Sequence, residues 1–377
     1  MSSTLQTSLD RTIGRAITDQ RIVGTVLLVS QGGDMVYRQA AGFANREANI
    51  PVREDTIFRF SSLSKPIVSA TAMAMVDQGL LNLDDTVTKW IPEFQPSGPD
   101  GSKPEITLRQ LLNHTAGLRY GFWEPEDGPY HQANVSDGLD QPDLSMEENL
   151  RRIASVPLAY QPGTSWGYSV STDVAGAVIA RACKCSLPEA VSRFVTAPLA
   201  MTDTGFTVTD PARLAVPYAD ASPRPVRMGD LQLIKMPYGP GSIRYAPARA
   251  FDTDSYPSGG CGMVGTAGDF SKFLEALRTG GNPILSAQSV HAMTSNQTGG
   301  LGPAPGTAFG FGLSVIVDPA AVPTPQSAGT LQWGGVYGHS WFVDAARQLS
   351  VVMLSNTALE GMIAFPAQIR TAIYGAL

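Results

Sequence analysis

A chain of 377 residues, 43% hydrophobic and 8% aromatic, can bury a sizeable core as one large domain or two intimate ones. Its formal charge of −6, with no block of Lys or Arg, excludes the electrostatic footprint of a nucleic-acid binder. The 28 prolines and 38 glycines are scattered among apolar segments, so they mark turns and loops, not disorder.

In chain order, Leu5, Leu9, Ile13 and Ile17 recur every four residues and predict an amphipathic helix over 5–19. The N-terminal stretch has no apolar leader segment, and no run approaches the roughly 18 apolar residues of a membrane span, so a soluble cytoplasmic protein is expected. Two β-like runs, 23–30 and 35–42, flank Gly32 and Gly33 and predict a hairpin. Helical patterns follow over 65–78, 107–113, 146–155, 172–182 and 187–194. The irregular stretch 210–258 is too long for an ordinary connector and is expected to wall a binding site. Segments 311–317, 329–343 and 349–356 read as strands, and 361–374 reads as a closing helix. These elements imply an α+β fold: an antiparallel sheet drawn from both termini and flanked by helices, with a large, mostly helical region inserted. The expected division is a sheet domain, 1–65 with 256–377, and a helical domain, 66–255. Cys183, Cys185 and Cys261 match neither a zinc nor a redox spacing and read as reduced thiols.

Ser62-Leu63-Ser64-Lys65 opens the most apolar helix. A spacing of three puts the Ser62 hydroxyl and the Lys65 amine on one face. Burial, together with the positive end of the helix dipole, is expected to push Lys65 towards the neutral amine and so towards base chemistry. A serine and a lysine three apart are common by chance, so the weight falls on the surroundings. The run from Phe58 to Pro66, then 111–118 (Leu-Leu-Asn-His-Thr-Ala-Gly-Leu), then 194–206 (Phe-Val-Thr-Ala-Pro-Leu-Ala-Met-Thr-Asp-Thr-Gly-Phe) resembles the β-lactamase-related, penicillin-binding-protein-like serine hydrolases. The chain is most similar to the bacterial family VIII carboxylesterases within that group, from about Leu5 to Tyr374.

The resemblance implies a β-lactamase-like fold and places each role on a residue of this chain. Ser62 would be the nucleophile, with Lys65 and Tyr168 its proton-handling partners. The family's Tyr-x-Asn falls on Tyr168-Ser169-Val170, which keeps the tyrosine and loses the amide. Its Lys-Thr-Gly falls on Trp333-Gly334-Gly335, the Trp-x-Gly form of the esterases. The backbone N–H groups of Ser62 and Val336 would form the oxyanion hole, and Val170, Trp333, Gly334, Gly335 and His339 would contact substrate. The implied activity is hydrolysis of small to medium carboxylic esters, with no cofactor, metal or obligate protein partner. A peptidase, a β-lactamase or amidase, an acyltransferase and a catalytically silent binding module remain open on the same fold.

Competing features are weaker. Gly163-Thr164-Ser165-Trp166-Gly167 matches the nucleophile elbow of another hydrolase fold, with Asp318 and His339 downstream. Pro157 and Pro162 in the preceding segment deny it the buried strand that an elbow needs. His114, His131, His291 and His339 form no metal-binding spacing. Glycines 259, 260 and 262 fit either a turn or a close backbone approach, and Trp123, Trp166, Trp333 and Trp341 suggest an apolar pocket.

Overall fold

A computed structural model of the chain describes residues 3–376. Eight strands form one antiparallel sheet: β1 (Gly24–Gln31), β2 (Asp34–Asn45), β3 (Ile50–Pro51), β4 (Thr307–Phe309), β5 (Ser314–Ile316), β6 (Leu331–Gly335), β7 (His339–Asp344) and β8 (Leu349–Ser355). The order across the sheet is β4-β5-β6-β7-β8-β1-β2-β3. The two ends of the chain meet in the middle, where β1 pairs with β8 in the register Val29↔Val351. The helices that position the rest are α1 (Ser3–Thr18), α2 (Ser64–Asp77), α3 (Ser171–Cys183), α4 (Ala267–Arg278) and α5 (Ala364–Tyr374).

Alternation along the strands sorts the core into two layers. Leu27, Val29, Phe342, Val351 and Met353 point to one face, where Leu5, Leu9 and Ile13 of α1 and Phe365, Ile369 and Ile373 of α5 cover them. Val26, Leu28, Trp341, Val343, Val352 and Leu354 point the other way, into a larger core shared with α2 and with Phe270, Phe273, Leu274 and Leu277 of α4. Twelve of the fourteen α2 residues are buried, because α3, the segment 187–196 and the helix Ala287–Thr294 pack around it.

Several expectations need correction. The run 311–317 is strand only over 314–316, because Gly312, at φ +76°, turns the chain between β4 and β5. The run 329–343 likewise folds back at Gly338, φ +114°, into β6 and β7. The closing helix breaks at Ile363 into Ala358–Met362 and α5. Helix α4 and a second helix, Ala287–Thr294, were not anticipated, although Thr266 and Ser286 cap them on the N–H groups of Asp269 and Ser289. The stretch 210–258 holds two short hairpins, Tyr218–Ala219 with Val226–Arg227 and Gln232–Lys235 with Ser242–Tyr245. The expectation of three reduced thiols is also corrected. Lys184, in the left-handed region at φ 53°, reverses the chain after α3 so that Cys183 and Cys185 join in a disulfide. Cys261 is free and buried.

Candidate active site

The site begins with a strained turn. Residues 61–63 form a 3-10 turn leading directly into α2, and Ser61 sits at φ +45°, a region that favours glycine. Side chains hold it there: Ser61 Oγ donates to Phe60 O at 2.7 Å, and Ser64 Oγ donates to Ser61 O at 2.7 Å. The Met263 N–H donates to Ser64 Oγ at 3.1 Å and ties the turn to the segment before α4. Ser62 is thereby presented at the wall of a cleft.

One helical turn on, Lys65 is completely buried. Its Nζ lies 3.3 Å from Ser62 Oγ and donates to Gly260 O at 2.9 Å, with Cys261 Sγ at 4.0 Å. It also sits 4.6 Å from the Tyr168 ring centroid and 5.1 Å from that of Tyr120. Gly260 permits this approach, since a Cβ there would meet Asp173 Oδ2 at 2.8 Å, Tyr120 Oη at 2.9 Å and Lys65 Nζ at 3.4 Å. The expected push towards a neutral amine is overturned. Burial does disfavour the ammonium, but Cys261, Tyr168 and Asp173 outweigh it and the Lys65 pKa is raised.

Tyr168 is fixed from the opposite wall. The indole Nε1 of Trp333, on β6, donates to Tyr168 Oη at 3.1 Å. Trp333 therefore does more than replace a cation with apolar surface: it holds the phenol oxygen through one lone pair. The Tyr168 ring packs among His114, Tyr120 and Trp333, with centroids 4.9–5.2 Å away. His114 is held neutral, its pKa pulled well down by burial and by the Lys65 charge, and its Nδ1 pairs with Ser169 Oγ at 3.1 Å.

The cleft, about 510 Å³, is lined by Ser62, Tyr168, Trp333, Gly334 and Val336, with Phe122, Trp123 and Trp166 on its apolar side. Met236, Pro237 and Tyr238 close it from the hairpin loop within 210–258, as the length of that segment suggested. Three expected contacts lie elsewhere. Val170 is fully buried at the start of α3. Gly335 faces away from the opening, where a Cβ would meet Phe60 O and Ser61 Oγ at 2.6 Å. His339 braces the scaffold by hydrogen-bonding Arg59 O through Nε2 at 2.7 Å, edge-on to Phe58, and burial pulls its pKa down to about 4. Trp341 is a core residue against Phe270, because it points to the α2 face of β7. Ser165 lies in an irregular turn with no strand before it. Sequence reasoning missed the contacts of Gly260 and Cys261 with Lys65, Tyr120 beneath them, and Arg370 at the far end of the cleft. Only the glycine cluster carried a signal.

The β-lactamase family model matches residues 9–373. The chain is 46% identical to esterase EstB of Burkholderia gladioli over 99% of its own length and 96% of that protein. Among solved structures it superimposes on EstCE1, described as a hydrolase with promiscuous acyltransferase activity, at a TM-score of 0.95, with 43% identity and 99% of each chain covered. The simvastatin synthase of Aspergillus terreus, at a TM-score of 0.76 and 21% identity over 99% of each chain, shares the fold.

Proposed function

The chain belongs to the β-lactamase family, and from that premise we propose that it hydrolyses small to medium carboxylic esters through an acyl-enzyme on Ser62. That it is a serine hydrolase of the esterase kind follows from its full-length likeness to EstB and EstCE1. The residue roles are our reading, and the observation that carries them is the 3.3 Å contact of Lys65 Nζ with Ser62 Oγ in the wall of the cleft.

In this reading Ser62 Oγ attacks the ester carbonyl carbon, and its proton passes to the Lys65–Tyr168 pair. One member of the pair enters the step deprotonated and takes the proton while the other donates to it, and the Trp333 N–H donates to Tyr168 Oη and holds it in place. Backbone N–H groups of Ser62 and Val336 receive the carbonyl oxygen as it becomes an oxyanion. Collapse expels the alkoxide, Tyr168 returns the proton to it, and water then repeats the sequence in reverse to free the acid. An acceptor alcohol in place of water would give acyl transfer, the promiscuous activity named for EstCE1.

The family VIII assignment and the division into 1–65 with 256–377 and 66–255 belong to the same proposal. The latter is supported by all eight sheet strands lying outside 66–255. Among the described residues no helix is long and apolar enough to cross a membrane. We propose cytoplasmic residence, against which the Cys183–Cys185 bridge stands, because such bonds seldom persist in a reducing compartment. Cell fractionation should recover the protein with cytoplasmic markers, and recovery outside the cytoplasm contradicts it.

The substrate class is tested by steady-state kinetics on one preparation. Short-chain p-nitrophenyl esters should exceed a chromogenic cephalosporin or a D-alanyl peptide in kcat/KM by about 10³ or more, since the cation and amide that would hold those substrates are replaced by Trp333 and Val170. Comparable turnover of the β-lactam or peptide would overturn the esterase reading.

A further inference from the structure

Strand β6 has two sides, and the cleft reaches both. Trp333 faces Tyr168, whereas Gln332 and Gly334 face the layer beneath α5. Strand β5 pairs with β6 only as far as Gln332, so the edge from Trp333 to Gly335 is open and the cleft continues around it. Its far wall is made of Gln332, Gly334, Ser340, Met362, Ile363 and Arg370. A Cβ at Gly334 would meet His339 O at 2.8 Å and Met362 Cγ at 3.5 Å, so the glycine also keeps that passage clear.

Among the described residues Arg370 is the only cation in the wall of this cleft. Its Nη2 donates to Ser340 Oγ at 2.8 Å and its guanidinium stacks 5.8 Å over the Phe342 ring. Its Nε is buried without a partner, and among the described residues no carboxylate comes within ion-pair distance of it. The nearby acid, Asp344, is engaged by Tyr374 Oη and by the N–H groups of Ser327 and Arg347. Desolvation pulls the Arg370 pKa down to about 10, which leaves it charged at neutral pH. A partly buried guanidinium with no counter-charge is costly unless an anion supplies one, and its planar fork matches a carboxylate.

We propose that Arg370 and Ser340 form an anion subsite at the end of the cleft remote from Ser62, and that the preferred substrates are esters carrying a carboxylate there. This rests on the ester-hydrolase reading and names its substrate class. The site differs in kind from the one lost at Trp333, because its cation comes from α5 and lies on the opposite side of the strand.

The test is a series of mono-p-nitrophenyl esters of dicarboxylic acids, succinate to suberate, each paired with a neutral p-nitrophenyl ester of equal length. On the wild-type enzyme the anionic-to-neutral ratio of kcat/KM should peak at one chain length. Arg370→Gln should lower that ratio tenfold or more, chiefly through KM, and Arg370→Lys should restore part of it. Should the Arg370 variants fail to fold, free dicarboxylates of the favoured length should inhibit wild-type hydrolysis of a neutral ester competitively, and the matching dimethyl esters should not. No anionic preference at any length, a ratio unmoved by Arg370→Gln, or absence of dicarboxylate inhibition would overturn the subsite. Hydrolysis of the neutral esters would still stand, and its failure alone would overturn the esterase reading.

Discussion

Beneath α1 and α5 the sheet meets mainly apolar side chains, Leu5, Leu9, Ile13, Phe365, Ile369 and Ile373 against Leu27, Val29, Val351 and Met353, with Arg370 on Ser340 and Tyr374 on Asp344 along one strand. On the opposite face the apolar layer is interrupted by buried polar groups: Ser62, Lys65, Ser64, His114, Asp173 and His339 are all under 5% exposed. Nonspecific burial, which tolerates exchange of one apolar residue for another, suffices for the first face. The second is held by directional bonds, from the Ser61–Ser64–Met263 chain to the Trp333–Tyr168 contact, and should lose function when one of them is cut. The difference separates stability from catalysis within one sheet.

The largest effect should come from the polar face. Ser62→Ala should reduce ester turnover by about 10³-fold or more, leaving only the residue that binding and the oxyanion hole provide, while thermal unfolding changes little. Turnover within tenfold of wild type would remove Ser62 from the chemistry. On the apolar face, Leu9→Ala should cost about 2–5 kcal/mol in urea unfolding and leave kcat unchanged once the protein is folded. A drop in kcat at full folding would mean that the two faces are coupled.

Lys65→Ala and Tyr168→Phe should each lower kcat by about 10² or more, with the double variant losing far less than the product, because the two pass one proton. Multiplicative losses would make their roles independent.

The smallest effect is acid lability. His339, held neutral at about 4 against about 6.5 in the unfolded chain, binds its proton first in the unfolded state as pH falls. Its contribution is therefore complete above pH 6.5 and is lost on the way down to 4, by about 3 kcal/mol at most. His339→Gln should flatten the fall in unfolding free energy between pH 6.5 and 4.5, and parallel curves would contradict the assignment.

The apolar face was the legible one. Four-residue spacing in α1 and alternation in β1 and β8 follow from burial of one side, so residues near in sequence carry the signal. Ser62 and Lys65, three apart on one helix, were legible for the same reason. What could not be read joins residues far apart: Gly260 to Lys65 across 195 positions, Trp333 to Tyr168 across 165, and Arg370 to Ser340 across a packed layer. The raised pKa of Lys65 escaped for that reason too, since Cys261 and Asp173 sit on other segments. The Cys183–Cys185 bridge depended on one left-handed residue, Lys184, which no local pattern demands.

The central claim is that the acyl group rides on Ser62. A fluorophosphonate adduct formed on the full-length enzyme, digested and read by mass spectrometry, tests it directly. A single modified peptide carrying the adduct at Ser62 is expected, absent from Ser62→Ala and present in Ser165→Ala. Modification at Ser165, or undiminished labelling of the Ser62→Ala protein, would contradict it.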